Sequence, residues 1–537
     1  MLVRDTLPPM QTYDQYNGVF LSSDSRLVGH LRIAGADSLV KLVGDRFPAA
    51  SEKELTDIHG ILSDGKKASL LDCVFYNRMS HYFNNKQQME STLFPNYIIV
   101  SKDFVSSNQS IIRAVRYEFE NSAKILSGRK TFRSIMLGKD EIYKLLEEDH
   151  KRSEEMAEKY KWPKHSFEPE IGEHPRLLYY SGKWEIIASD TKIGKISLTN
   201  HASHSMGTAA GIGFSNKVIV NIEFAEPKTL SATINSLHTL HALFELSLGH
   251  RQRYQSIELE LDRRTEVDQH DEEVDQRISY EQAHLYWSMC NDRVKNDIKP
   301  EYFETLLSAD RRPDEFVKVT AGWMDSTSTM GDPRTRFATA FFGRYGIDRI
   351  VGAANMFDLL PESHAPKKKM IDKQLADVVD ECRTLFEALP STTAKQSVLS
   401  VLGRVGKASL PDKVYHRADK IMLAVGDKFP DLRLPCKHAV LARNHYVHGS
   451  DASFDYLENF TEFAFITDTL EFVFAVSDLL DLGWDFKNWM DEGTGMSHPF
   501  GAYFVDYSAN LRRLQDLVKK PSPPPSSNTV PSTKLLS

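Results

Sequence analysis

The chain has 537 residues, 41% of them hydrophobic and 26% charged, with a formal net charge of -8. That length exceeds one ordinary core and implies several domains of a soluble globular protein. The acidic balance excludes a chain that coats nucleic acid nonspecifically, though it permits a local basic pocket.

The cysteines Cys73, Cys290, Cys382 and Cys436 are scattered, without C-x-x-C pairing. They indicate neither a zinc ribbon nor a disulfide framework and fit a reducing cytoplasm. Residues 1–16 lack the apolar core of a signal peptide. No run approaches the length of a membrane span, so no membrane partner is expected.

The first third alternates as antiparallel β-structure. Short runs at Gly18–Leu21, Leu27–Ile33, Ser38–Val43, Ala68–Val74 and Tyr97–Val100 are separated by turn-rich stretches, and Gly65-Lys66-Lys67 has the chemistry of a hairpin turn. Lys139–Trp162 is strongly charged, with Ile142, Leu145, Leu146 and Met156 toward one side, which predicts a surface helix. A second β-rich segment runs from Arg176 to Leu261, interrupted by a helix over Leu230–Leu248. The acidic stretch Glu266–Asp275 reads as a solvated boundary.

Beyond Ile278 helices are expected at Tyr280–Val294, Pro300–Ser308, Arg336–Leu360, Lys367–Leu389, Ala394–Val405, Pro411–Val425, Lys437–His448 and Tyr456–Leu482. Gly343, Gly346 and Gly352 predict a break or kink in the third of these. The Pro/Ser-rich end, 519–537, reads as a disordered tail. The fold class is therefore α+β: an antiparallel β-rich half over 1–265, then an all-α bundle over 276–490.

Several chemistries fall away. Gly406-Lys407-Ala408 lacks the Ser/Thr and the first glycine of a phosphate loop, and Gly207–Gly213 lacks dinucleotide spacing. His201/His204 and His238/His241 have no third ligand nearby, which favours surface or packing roles over a metal. No cofactor and no metal are expected.

The segment Arg443-Asn444-His445-Tyr446-Val447-His448-Gly449 stands apart. Arg followed by His at this spacing recurs at Arg433/His438, but Pro435 lies inside that pair and is expected to break a helix. Around Arg443 the helix is uninterrupted and Gly449 is placed to end it. Asn444 and His448 share a face. Arg443 lies about 140° around and roughly 7.5 Å along the axis from His448, a gap a long guanidinium stem or a second protomer can close.

These side chains suit RNA cleavage without a metal. Imidazole, the side chain that changes charge near neutral pH, suits proton transfer from a 2′-OH. A guanidinium fork matches the phosphorane oxygens, and Asn444 can hold the imidazole or bond a phosphate oxygen. The bland alternative is a surface pair with a helix-terminal cation.

The segment resembles the R-[N/D/H]-x-x-x-H motif of HEPN ribonuclease domains. The opening Gly18-Val19-Phe20, Val28-Gly29-His30-Leu31 and Leu39–Gly44, followed by His59–Lys67 with Leu70-Leu71-Asp72-Cys73, resembles the ApeA N-terminal domain. The resemblance implies a metal-independent endoribonuclease of bacterial anti-phage defence of the abortive-infection type. It also implies a cytoplasmic homodimer or higher homo-oligomer, an RNA substrate and a phage-derived trigger. Arg443, Asn444 and His448 are the residues carried over as catalytic. Related proteins have an acidic residue on an early helix, a place where this chain has Asn355. The β-rich half, without catalytic residues of its own, is expected to sense or restrain. The alternative is a noncatalytic binding or assembly protein.

Overall fold

Alternating apolar residues in the N-terminal half build one thirteen-stranded antiparallel sheet that is closed at one end and open at the other. The structure is a computed structural model that describes residues 14–22, 25–45, 56–83, 86–126, 131–163, 170–205, 213–265, 279–288, 305–367, 372–493 and 495–519. The acidic stretch Glu266–Asp275 and residues 520–537 of the expected tail lie outside the described residues.

Strands β1 (Asp14–Ser22), β2 (Ser25–Ile33), β3 (Leu39–Gly44), β4 (Thr56–Leu62), β5 (Lys67–Phe83) and β6 (Lys86–Phe94) pair in a ring, because β6 bonds both β3 and the far half of β5. Closure removes the exposed strand edges that invite wrong pairing. The ring has its own core of Phe20, Leu31, Val40, Ile58, Leu70 and Leu93.

From β7 (Tyr97–Ser101), which pairs with the near half of β5, the sheet continues open. It includes β8 (Ile112–Phe119), β11 (Glu185–Thr191), β12 (Gly194–His204), β13 (Phe214–Lys228), β14 (Tyr254–Thr265) and β15 (Ser279–Trp287). Between β8 and β11 lie a short α1 (Ser122–Leu126), a separate hairpin of β9 (Phe132–Met136) with β10 (Arg176–Tyr180), and the charged helix α2 (Lys139–Tyr160). Of the predicted apolar side of α2, Ile142 is buried, whereas Leu145 and Met156 remain exposed.

Helix α3 (Leu230–Leu248) runs as its composition predicts, capped by the Thr229 hydroxyl accepting from Ala232 N and ended by Gly249. Its leucines cover one face of the open sheet. His238 packs edge-on against Trp287 and His241 stacks on Tyr254, so this pair has packing roles.

The helix expected over Tyr280–Val294 is instead strand β15 through Trp287. Glu281, Ala283 and Leu285 are buried while their neighbours are not, a period of two that fixes one face inward. Its bonds to β14 and β7 join the open sheet to the ring, and residues 289–304 lie outside the described set. The part of the expected Pro300–Ser308 helix that is described, 305–308, is not helical.

The helices that follow are α4 (Pro313–Asp325), α5 (Thr327–Phe341), α6 (Ile347–Asp358), α7 (Lys373–Glu387), α8 (Thr393–Leu402), α9 (Leu410–Val425), α10 (Arg433–His448), α11 (Phe460–Asp481), α12 (Phe486–Asp491) and α13 (Pro499–Lys519). The expected break falls between α5 and α6, at Gly343 and Gly346, while Gly352 is buried within α6. α11 is buried on nearly all sides, with Phe463, Phe465, Phe472 and Phe474 among its apolar residues, and it forms the axis of the bundle.

Helix α10 begins before the expected Lys437. Pro435 sits in its first turn, where a missing N–H leaves no intrahelical bond unmade. Sheet, α3 and bundle share one core, running from Val115 and Leu240 through Phe316 and Val319 to Phe357 and Phe474. Trp323 Nε1 donates to Thr239 O (2.8 Å), and Leu307 N donates to Ser247 Oγ (3.0 Å) across that joint.

Candidate active site

Two helix ends make the site. α10 packs against α6, α9 and α11 through Cys436, Ala439, Val440 and Ala442, which leaves the opposite face of its last two turns toward solvent. Gly449, at φ 69°, adopts the left-handed conformation that stops α10, and its N–H bonds His445 O (2.9 Å). His448 is thereby held in the final turn, exposed. Arg443, one and a half turns earlier, reaches along the helix toward it.

The guanidinium closes the gap that helical geometry leaves. Arg443 Nη1 donates to His448 Nε2 (2.9 Å) and to Asn444 Oδ1 (3.2 Å). Since an arginine N–H donates, Nε2 accepts, and the imidazole carries its proton on Nδ1. Asn444 thus holds the guanidinium rather than the imidazole. On its other side Nη2 meets Asn355 Oδ1 (3.5 Å) and Asp358 Oδ2 (3.4 Å), both from the last turn of α6. Arg443 Nε is buried without a hydrogen-bond partner. The cation is 15% exposed and the Asp358 carboxylate 43%, so the group is anchored from beneath and open above.

Lys413, in the first turn of α9, adds a second cation: its Nζ donates to the Asp358 carbonyl (2.9 Å) at the C-terminal end of α6. Beside the site, His445 Nδ1 donates to Ser450 O (2.7 Å), which pins the loop after Gly449. Tyr446 and Tyr456 pack at a tilt in the same corner, 5.6 Å between ring centroids. Burial first, then the neighbouring Tyr456 hydroxyl, pushes the Tyr446 phenol up, which keeps it a hydrogen-bond donor.

Arg443, Asn444 and His448 therefore meet, and Asn355 lies against the Arg443 guanidinium. Asp358 and Lys413 are additions. Asp358 supplies the carboxylate that Asn355 lacks, from one turn further along the same helix face. That spacing was the signal available in the sequence; nothing local marked Lys413. The other Arg/His pair divides instead. Arg433 binds Asp419 (2.7 Å), while His438 is buried, with burial holding its imidazole below the ordinary histidine range.

A site of this make-up offers a cation fork, an imidazole with an accepting nitrogen, and a carboxylate behind the fork. A substrate phosphate entering from the open side can take the Nη1 donor, freeing His448 Nε2 to receive a proton. No group of three or more His, Cys, Asp or Glu with metal-holding geometry occurs among the described residues.

Comparison with known proteins gives two matches. Residues 15–323 match the model of the ApeA N-terminal domain 1 family, and residues 351–487 match that of the Apea-like HEPN family. The second match encloses Asn355, Asp358, Lys413, Arg443, Asn444 and His448. No match is found among curated proteins or solved structures. No helix among the described residues is long and apolar enough to cross a membrane. An antiparallel β-rich half of ApeA type, joined to a bundle whose Arg–Asn–His cluster falls inside the HEPN match, places the chain in the ApeA family with an Apea-like HEPN domain.

Proposed function

We propose that the chain is a metal-independent endoribonuclease effector of anti-phage, abortive-infection defence, with Arg443, Asn444 and His448 as its catalytic residues. The observation that carries this reading is the 2.9 Å bond from Arg443 Nη1 to His448 Nε2, on a surface open to a polymer. In the reaction the substrate 2′-oxygen attacks the adjacent phosphorus, and His448 Nε2 takes the 2′-OH proton. Arg443 stabilises the charge gathering on the phosphorane oxygens, with Asn444 and Asp358 fixing its fork. The bond to the 5′-oxygen breaks as that oxygen takes a proton from water, and His448 returns its own proton to solvent. The products are a 2′,3′-cyclic phosphate and a 5′-hydroxyl, and DNA, without the 2′-OH, is spared.

The test is incubation of wild type and His448→Ala with total RNA in EDTA, before and after adding phage-infected lysate. Cyclic-phosphate ends produced by the wild type alone support the reading. No difference between the two proteins in either condition moves the noncatalytic binding protein ahead.

The β-rich half is proposed to restrain the bundle until a phage-derived trigger binds. Restraint through the shared core predicts that Trp323→Ala, which loses the bond to Thr239 O, raises toxicity in cells. Adding His448→Ala should abolish that rise; a toxicity that survives the second change would not come from this site.

A further inference from the structure

The outer face of the open sheet, opposite α3, is not flat. Strands β8, β12, β13 and β14 form the floor of a cup of about 610 Å³, and the segment leading into β11 forms one wall. A volume of that size holds a small ligand. One row of directly paired residues crosses the four strands: Ser197, Asn221, Arg116 and Glu258. Beside it Thr199 pairs with Ile219, and Lys195 with Glu223. These side chains alternate with Leu198, Val220, Tyr117 and Leu259, which are buried on the α3 side.

At the wall stands Trp184, 57% exposed on a mostly polar face. Its indole lies 4.3 Å from the His201 ring, between centroids. Buried Asn200 fixes the backbone there: its N–H donates to Trp184 O (2.7 Å), and its Nδ2 to Lys183 O (2.9 Å). A rigidly placed indole left open beside a cavity is a preorganised stacking surface.

The charges narrow what the cup can take. Lys217 pairs with Glu118 (3.2 Å), Lys195 with Glu185 (3.0 Å) and Arg116 with Glu260 (2.6 Å). Glu223 and Glu258 add further carboxylates, so the balance is acidic and a phosphate gains no net attraction. Burial, then the Arg116 charge, holds the His201 imidazole below the ordinary histidine range, which leaves a neutral ring with one donating and one accepting nitrogen. A nucleobase is held best by flat partners on which it stacks, and here a single indole stands over a polar floor.

We infer that the cup binds a neutral saccharide unit, its C–H face on Trp184 and its hydroxyls on the floor. Each sugar hydroxyl both donates and accepts, which carboxylates and ammonium groups set side by side with an amide and hydroxyls satisfy together. From this wall β11 runs on to the bundle, where Ser189 Oγ donates to Val317 O (3.2 Å) and Lys192 N to Asp325 Oδ1 (2.7 Å) of α4. The site thus lies on a strand by which the β-rich half meets the bundle.

Binding is independent of RNA cleavage and is measured without RNA. The full-length chain is passed over an array of neutral mono- and disaccharides of hexoses and N-acetylhexosamines, with nucleosides and sugar phosphates on the same array. Retention by neutral saccharides is expected, and titrating the best of them in solution should change the tryptophan emission. Trp184→Ala should weaken binding at least about tenfold, and Trp184→Phe, which keeps a smaller ring, should weaken it less. Asn221→Ala, in the floor, should weaken it as well. Circular dichroism matching the wild type shows that each variant is folded. The inference is overturned if no saccharide is retained, or if a nucleoside or sugar phosphate is held more tightly than the neutral sugars. Binding that ignores Trp184→Ala or Asn221→Ala would place the ligand elsewhere and overturn it too.

Discussion

Replacing Arg443 by lysine keeps the charge and removes the fork, so it separates the geometry of the site from its electrostatics. The guanidinium places two nitrogens on four partners, His448 and Asn444 on one side and Asn355 and Asp358 on the other, at 2.9–3.5 Å. An ammonium at that depth is a single point donor on a shorter reach, and it cannot face both helices at once. Losing one preorganised donor to a developing oxyanion costs ~10²–10³ in rate, so Arg443→Lys should slow cleavage about a hundredfold or more. Asp358→Asn is the contrast. Its contact is long, 3.4 Å, and the carboxylate is 43% exposed, a pair of the screened kind worth about 0–1 kcal/mol, or up to roughly fivefold. Single-turnover cleavage in EDTA, under the condition in which the wild type cuts, measures both, with thermal melts to show that each variant folds. The reasoning fails if Arg443→Lys stays within about fivefold of wild type, or if Asp358→Asn falls as far as Arg443→Lys.

Three further outcomes follow from the packing. Burial pushes the Glu471 carboxyl up to about 7, even with the Arg349 guanidinium 2.7 Å away. A carboxyl raised on folding binds its proton more tightly in the native state, so its contribution is complete below pH 4.5 and is lost as pH rises to about 7. Denaturant titrations across that window should show the wild type losing stability relative to Glu471→Gln; a constant difference between them would contradict the assignment. Arg334 is 6% exposed, bonds both oxygens of Asp478 (2.8 and 3.2 Å) and the Trp323 carbonyl, and lies over the Trp323 ring. Arg334→Met strands a buried carboxylate and should cost about 3–5 kcal/mol in chemical denaturation, with a loss below ~1 kcal/mol refuting the account. Gly249, at φ 71°, ends α3 where a Cβ would lie 2.3 Å from Pro499 Cδ. Gly249→Ala should therefore destabilise by more than ~1 kcal/mol, and an unchanged melting temperature would show that the turn yields freely.

Where side-chain periodicity was long, the sequence was legible. α3 appears at its predicted ends, and Arg443, Asn444 and His448 are drawn together by helical spacing and the reach of the Arg443 side chain. The failures have local causes. Tyr280–Val294 mixes polar and apolar residues in a way that fits either period, and what decides for a strand is a vacant place between β14 and β7, which is not a property of the segment. Pro435 looked like a breaker because the start of α10 was placed too late. Lys413 was invisible for another reason: its task depends on two helix ends meeting, and no spacing along the chain encodes that meeting, whereas Asp358 stands one turn beyond Asn355. The closed ring was equally hidden, since it rests on β6 returning to β5 while also bonding β3.

The undivided core has a consequence for inheritance. If halves of such proteins are exchanged between lineages, the join cannot fall at residue 265, where the acidic stretch suggests a seam. A foreign bundle received there would bring its own counterparts of Phe316, Val319 and Trp323 to an α3 shaped for others. An exchange that keeps the joint must carry α4 along with the sheet, and the match to the N-terminal family does run to residue 323, well into α4. The sheet and the first helix that seals it form one packed unit here, and the part of the HEPN bundle beyond α4 is the part an exchange could replace beneath them.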